Sequence, residues 1–457
     1  MIFNRLVLAV ALLALGIPCS RARQQYNDKP EQRGKDSFVP FERFLEQVKS
    51  AKFEDYTNAR NAKVESREAF EDMKTHILRM YEGVGKVTSF VLGEEYGDCV
   101  TMEEQPTLRE LGMRKIEKPP VSTTFGQRTE VRAPGTFKYV DSPLKLGLKD
   151  RFGNAVSCPE HAIPMARLTL EKLTRFRTVS DFFAKLPREL GRARLRNEGP
   201  EFLPDWDKVH LHAYGYQNVT NFGGNSWLDL WNPTGDFTLS QHWYVGGTDS
   251  STQTAEGGWM AEPDKYNTNK AVLFIYWTAD NYQKTGCYNL DCTGFVQTNH
   301  NWFLGGIWTE YSSTGGTQWG FELQWKLFSG NWWLFLKGPG DYEAVGYYPT
   351  SIYNGGQLSR NATAVKYGGE TARKTGDSWP QMGSGQLASQ GWQQAAYQNT
   401  IFYIPRDEND GVGAWADLTG VVESLSACYS INVVPAASGG NWGSYFFYGG
   451  PGGATCN

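Results

Sequence analysis

The sequence predicts an antiparallel β domain, of the sandwich or barrel class, preceded by a mixed and partly helical segment. Three observations carry this. All 16 Trp fall at or after Trp206, and most of the 50 Gly lie there too, whereas residues 23–200 are rich in Glu, Lys and Arg. From Val209 onward, short runs dense in β-branched and aromatic residues are punctuated by Gly, Asn, Asp or Pro. No long helical pattern separates those runs, as expected of stacked or closed antiparallel sheets. The formal net charge of −4 averages two unlike parts and says little about partners.

In chain order, a charged start at Met1–Arg5, the apolar run LVLAVALLALGIP and the small residues Ser20 and Ala22 read as a secretory signal over 1–22. The run is too short to span a bilayer, and no later segment reaches that length, so the mature chain is expected to be exported and not membrane-bound. Residues 23–40 are polar and expected to be flexible. Helix follows: Phe41, Phe44, Leu45 and Val48 share one face, and Phe70, Met73, Ile77, Met80 and Tyr81 repeat the pattern before Gly83. Periodicity alone leaves open a separate helical domain or a pro-segment packed on the later domain. TLEKLTRF and SDFFAKL continue the helical reading, with Ser180 as N-cap. Arg188, Arg192, Arg194 and Arg196 then crowd a Gly- and Pro-bounded stretch, which reads equally as an exposed linker open to proteolysis or as a solvated helix end.

The strand candidates are HLHAYGYQ, SWLDLWNP, TLSQHWYVGG, AVLFIYWTA, WFLGGIWTEY, WGFELQWKLF, NWWLFLKG and AVGYYP. Cys19 leaves with the signal and six cysteines remain, formally allowing fifteen connectivities. Pairing near neighbours within each compositional part gives Cys99–Cys158, Cys287–Cys292 and Cys428–Cys456. Asn218 and Asn361 head glycosylation sequons.

For chemistry, the chain has no HExxH, no GxSxG elbow, no phosphate-binding Gly loop and no unpaired Cys. His210 and His212 share a strand face, but two His without a third ligand make a weak metal site, and no metal or cofactor is expected. The β part lacks a basic stripe, which argues against nucleic acid. Carboxylate chemistry remains. Glu256 precedes Gly257-Gly258 and Glu370 follows Gly368-Gly369, so both acids sit beside bare backbone. Residue type alone also fits solvent-facing strand glutamates.

Several segments carry a resemblance. SQHWYVGG, EGGW, FIYWTADNYQKTGCYNLDCTGFVQT, NWWLFL, VGYYP, YGGE and QMGSGQ, in that order across 208–457, resemble the neprosin family of secreted glutamic peptidases. GDCV with the following QP, and CPEHAIPMARLTLEKL, more loosely resemble that family's activation peptide, which shifts 23–200 towards a pro-segment. The resemblance implies a sandwich of two stacked antiparallel sheets, of the jelly-roll or concanavalin kind, with a cleft across one face. It also implies a catalytic pair at Glu256 and Glu370. The chain departs at Gly257 for Ala, Tyr367 for Trp and Lys366 for Gln or Glu. A cation at Lys366, if it reached Glu370, would favour the ionised carboxylate.

The implied activity is hydrolysis of peptides after proline, in acid, by a zymogen whose pro-segment is its own inhibitor. One carboxylate would take a proton from water and the other would protonate the leaving amine. Gln241 is the candidate oxyanion donor, and Trp259 and Trp277 are candidate surfaces for a proline ring. A carbohydrate-active sandwich, whether glycosidase or lectin-like binder, would suit the same residues. An inactive family member would keep the fold alone.

Overall fold

The computed structural model describes residues 37–57, 59, 61–123, 137–144, 147–185, 210–409 and 411–456. The signal, the Arg188–Arg196 stretch and the boundary near residue 200 lie outside the described residues. Both helical stripes form as read: α1 (Phe41–Ser50) buries Phe41, Phe44 and Val48, and α2 (Arg67–Met80) buries Phe70, Met73, Ile77 and Met80. Ser66 caps α2 by accepting from the Ala69 N–H at 3.1 Å. The short α3 (Val179–Phe183) is capped by Thr178, whose hydroxyl accepts from the Asp181 N–H, so it begins ahead of the expected Ser180 cap.

Sequence reasoning missed a small sheet. The upstream part holds β1 (Thr88–Leu92), β2 (Glu95–Thr101), β3 (Phe137–Tyr139) and β4 (Ala162–Ala166). β1, β2 and β4 form a three-stranded antiparallel sheet, with Gly93 at φ 64° in the β1–β2 turn. The buried Arg167 guanidinium grips Asp98 on β2 through two bonds of 2.9 and 2.6 Å. From Val39 onward the chain is one compact unit, and the α1 and α2 stripes belong to the same apolar cluster as Trp259, Trp325 and Trp332.

Downstream come β5 (Leu211–Asn221), β6 (Gly223–Asp229), β7 (Phe237–Gly246), β8 (Gln253–Ala261), β9 (Val272–Thr278), β10 (Cys287–Tyr288), β11 (Val296–Gln297) and β12 (Gln318–Phe328). β13 (Asn331–Lys337), β14 (Glu343–Pro349), β15 (Ala362–Ala372), β16 (Ala396–Tyr403), β17 (Ala414–Trp415), β18 (Thr419–Val422), β19 (Ser430–Val434) and β20 (Tyr445–Gly449) complete the set. They form two stacked antiparallel sheets. One has seven strands, ordered β10-β9-β8-β7-β15-β5-β18. The other has ten, running β11-β14-β13-β12-β6-β16-β20-β19, with β17 beside β16 and β3 parallel beside β12. Polar bonds cross the sandwich: Ser226 Oγ meets His242 Nε2 at 2.6 Å, Gln398 Nε2 donates to Ser240 Oγ at 2.9 Å, and Tyr367 OH donates to the Phe402 carbonyl at 3.1 Å.

The expected strand WFLGGIWTEY is a loop, joined to β9 by a single bridge from Ile307 to Val272. Gly305 at φ 85° turns the backbone, and Trp302, Phe303, Leu304 and Trp308 plug inward. The three disulfides join the expected pairs. Asn218 is exposed, whereas Asn361 is half-buried and its amide donates to the Ala362 carbonyl.

The upstream part wraps this sandwich. Gln105 clamps the short edge strand β11, its amide oxygen accepting from the Gln297 N–H at 2.8 Å and its nitrogen donating to the Gln297 carbonyl at 3.0 Å. Residues 117–123 lie across the outer face of the ten-stranded sheet, where Gln324 and Lys326 hold their backbone.

Candidate active site

Strand register puts the two glutamates on one face. Glu256 on β8 pairs with Trp243 on β7, Gly258 with Gln241, and Gln241 in turn with Gly368 on β15, two residues before Glu370. Since side chains alternate along strands, Gln241, Trp243, Glu256 and Glu370 all leave the side of the seven-stranded sheet that faces away from its partner sheet. The flanking glycines serve strand packing more than an open patch. A Cβ on Gly258 would lie 1.9 Å from the Ser240 carbonyl oxygen, and one on Gly368 would lie 2.4 Å from that of Ala213.

Both carboxylates are buried and converge on one cation, Lys185. Its ammonium bonds Glu256, lies 3.0 Å from Glu370 Oε2 and donates to Gln241 Oε1 at 3.1 Å. The carboxyl oxygens are therefore within two hydrogen-bond lengths of each other. Lys185 follows α3, whose end is held from below: Lys265 donates to the Phe182 carbonyl and Tyr276 OH to the Phe183 carbonyl at 3.2 Å. Lys366, four residues before Glu370, lies over the Tyr214 ring at 5.3 Å.

Glu256 also accepts from Thr254 Oγ1 and Tyr282 OH, each at 2.7 Å. Asn281 and Tyr282 are both left-handed, at φ 55° and 59°, a strained setting for a tyrosine. Asp280 sustains it by accepting from the N–H groups of Gln283, Lys284 and Thr285. That explains the TADNYQKT block: it is a loop built to aim a phenol at Glu256.

Glu370 accepts from Gln241 Nε2 at 3.0 Å and meets His210 Nδ1 at 2.6 Å. His212 stands between carboxylates, 2.6 Å from Glu423 and 3.8 Å from Glu370. Burial pushes the Glu370 carboxyl up, but Lys185 and the His210 bond outweigh it and hold it well below the usual range. Burial pulls the Lys185 ammonium down, yet the two glutamates more than reverse this. Burial lowers the pKa of His210, against the opposing pull of the Glu370 bond. Among the described residues no cluster has the makings of a metal site, and His210 and His212 serve carboxylates instead.

Two sequence candidates do not belong here. Trp259 and Trp277 project from the opposite face into the core, Trp259 donating to the Asp229 carbonyl and Trp277 packing against Tyr348 and Tyr353. Register parity explains this: Trp277 pairs with Ala255 and not with Glu256. Trp243, overlooked in SQHWYVGG, shares the glutamates' face, and its ring lies 5.6 Å from the Lys185 ammonium. Its even offset from Gln241 was the readable signal. Lys185 carried none.

Fold and site together define an antiparallel sandwich with a buried glutamate pair on one outer sheet face. Residues 234–451 match the Neprosin family model. Among solved structures, scytalido-glutamic peptidase with a peptide-based transition state analogue aligns at TM-score 0.31 and 9% identity, covering 54% of this chain and 98% of that one. SCP-B, a member of the eqolisin family of peptidases in complex with the tripeptide Ala-Ile-His, aligns at TM-score 0.30, 9% identity and the same coverage.

Proposed function

We propose that this chain is the latent form of an exported glutamic endopeptidase that cleaves Pro-containing peptides in acid. The observation that carries this reading is the convergence of Glu256, Glu370 and Gln241 at one buried point within a neprosin domain. With Lys185 withdrawn, two close carboxylates cannot both stay ionised, so one retains a proton. The ionised partner takes a proton from water, the protonated one supplies the leaving amine, and Gln241 Nε2 is free to donate to the developing oxyanion. Trp243 offers a flat surface for a proline ring. With Lys185 in place its ammonium bonds both glutamates and Gln241 and occupies the space between the two acids, which supports the upstream segment as an internal inhibitor. Three disulfides fit an exported chain, and among the described residues no helix is long and apolar enough to cross a membrane.

Acid should loosen the upstream segment through His76. His76 Nε2 lies 2.9 Å from the Asp291 carbonyl, with its ring 5.0 Å from that of Phe183 and the Arg79–Glu110 pair alongside. Burial depresses its pKa, so the packed state binds fewer protons than the released one and loses stability as pH falls below the ordinary imidazole range. Burial raises Asp291 to about 6 and Glu262 to about 7, and their protonation works the opposite way, favouring the packed state. The low pKa of Glu370 keeps the Lys185 contact charged through mild acid. We therefore expect the full-length chain to be silent at neutral pH and to gain activity with shortening in acid, and His76→Gln to slow that gain severalfold. Mass spectrometry of the chain and of a Pro-containing peptide, beside a glycan panel, reads both. Full activity of the intact chain at neutral pH would remove the latency, and cleavage of glycans alone would remove the peptidase.

A further inference from the structure

We propose that the outer face of the ten-stranded sheet, on the far side of the sandwich from the glutamates, is a second peptide-binding groove for extended Pro-containing chains. In the intact protein its occupant is Glu117-Lys-Pro-Pro-Val-Ser-Thr123. Gln324 reads one residue completely, accepting from the Thr123 N–H and donating to the Thr123 carbonyl, both at 2.8 Å. Two residues earlier, Asn409 Oδ1 accepts from the Val121 N–H at 2.9 Å and Lys326 Nζ donates to the Val121 carbonyl at 2.8 Å. Tyr347 OH accepts from the Glu117 N–H at 3.1 Å.

These contacts are all to main chain, at positions four and two residues apart along an extended peptide, and read no side chain. Among the described residues, the main-chain N–H groups of this segment that the groove engages are those of Glu117, Val121 and Thr123. Pro119 and Pro120, which have none to offer, fall where none is engaged and hold the backbone extended. Gln324 and Lys326 are fully buried under this segment. Gln324 uses both ends of its buried amide on Thr123, while the Lys326 ammonium divides itself between the Val121 and Asn409 carbonyls. The β12 backbone is already paired on both sides by β6 and β13, so strand pairing does not require these side chains. Beside them Trp333, Phe335 and Tyr347 form an apolar floor, covered by Leu108, Met113 and Ile116. The groove is thus a backbone reader with an aromatic shoulder, and it does not depend on the glutamate chemistry.

The test uses the full-length chain with residues 117–123 replaced by a Gly-Ser linker roughly three times as long, which lacks the Pro-fixed extended backbone and can loop clear of the groove. A fluorescein-labelled, acetylated heptapeptide of the native 117–123 sequence should then bind saturably by anisotropy, and Gln324→Ala in the same background should weaken it tenfold or more. Absence of saturable binding in a chain whose melting and disulfides match the parent would overturn the proposal, as would binding indifferent to Gln324→Ala. If the replaced chain fails to fold, hydrogen exchange on the otherwise intact Gln324→Ala chain decides. Exchange at Val121 and Thr123 should rise at least tenfold with α2 unchanged, and unaltered exchange there defeats the groove.

Discussion

Glu256→Gln and Glu370→Gln should each reduce peptide cleavage by several orders of magnitude, and the double variant should be little worse than either alone. Gln keeps the shape of Glu and its acceptor oxygen, so the bonds from Thr254 and Tyr282 to position 256, and from His210 to position 370, retain a partner. What is lost is the ability to hold or release a proton, which the pair must divide between its members. Assays on acid-treated chain with a Pro-containing peptide, beside thermal melts, separate chemistry from folding. Near wild-type activity at either position removes that glutamate from the mechanism.

Lys185→Met gives the second large effect. Methionine keeps an apolar stem and deletes the ammonium that joins Glu256, Glu370 and Gln241. Removing one partner from a buried ion pair costs about 3–5 kcal/mol, because the remaining charges are stranded. Here the glutamates recover part of that by taking up a proton, which creates the acid that the latent state lacks. The intact Lys185→Met chain should melt several degrees lower and cleave peptide at least tenfold faster than intact wild type, without shortening. A variant chain as silent as wild type at every pH would mean that other contacts of the upstream segment, not Lys185, close the site.

The sequence made the strands of the β part legible because alternation is local: SQHWYVGG and AVLFIYWTA became β7 and β9 nearly as written. The glutamates stood out through their glycines, although Gly258 and Gly368 admit neighbouring backbone more than ligand. Register was harder. Two tryptophans near Glu256 looked like its companions, but pairing along the strands sends Trp259 and Trp277 to the other face and keeps Trp243. WFLGGIWTEY has strand composition but folds as a loop, since one glycine conformation outweighs propensity over ten residues. Lys185 could not be read at all. Its place depends on Lys265 and Tyr276, distant in sequence, seizing the carbonyls at the end of α3.

The Gln105 clamp has a consequence for the life of the protein outside its chemistry. β11 is the outermost strand of its sheet, and its free side is occupied by a side-chain amide posing as one residue of a neighbouring strand. Departure of the upstream part would leave that rim with a bare N–H and carbonyl at Gln297, a template on which another molecule can dock strand to strand. Storage at high concentration therefore suits the full-length chain, which carries its own blunt border. A shed sandwich would have to rely on dilution, or on the brevity of a two-residue rim, to remain a monomer.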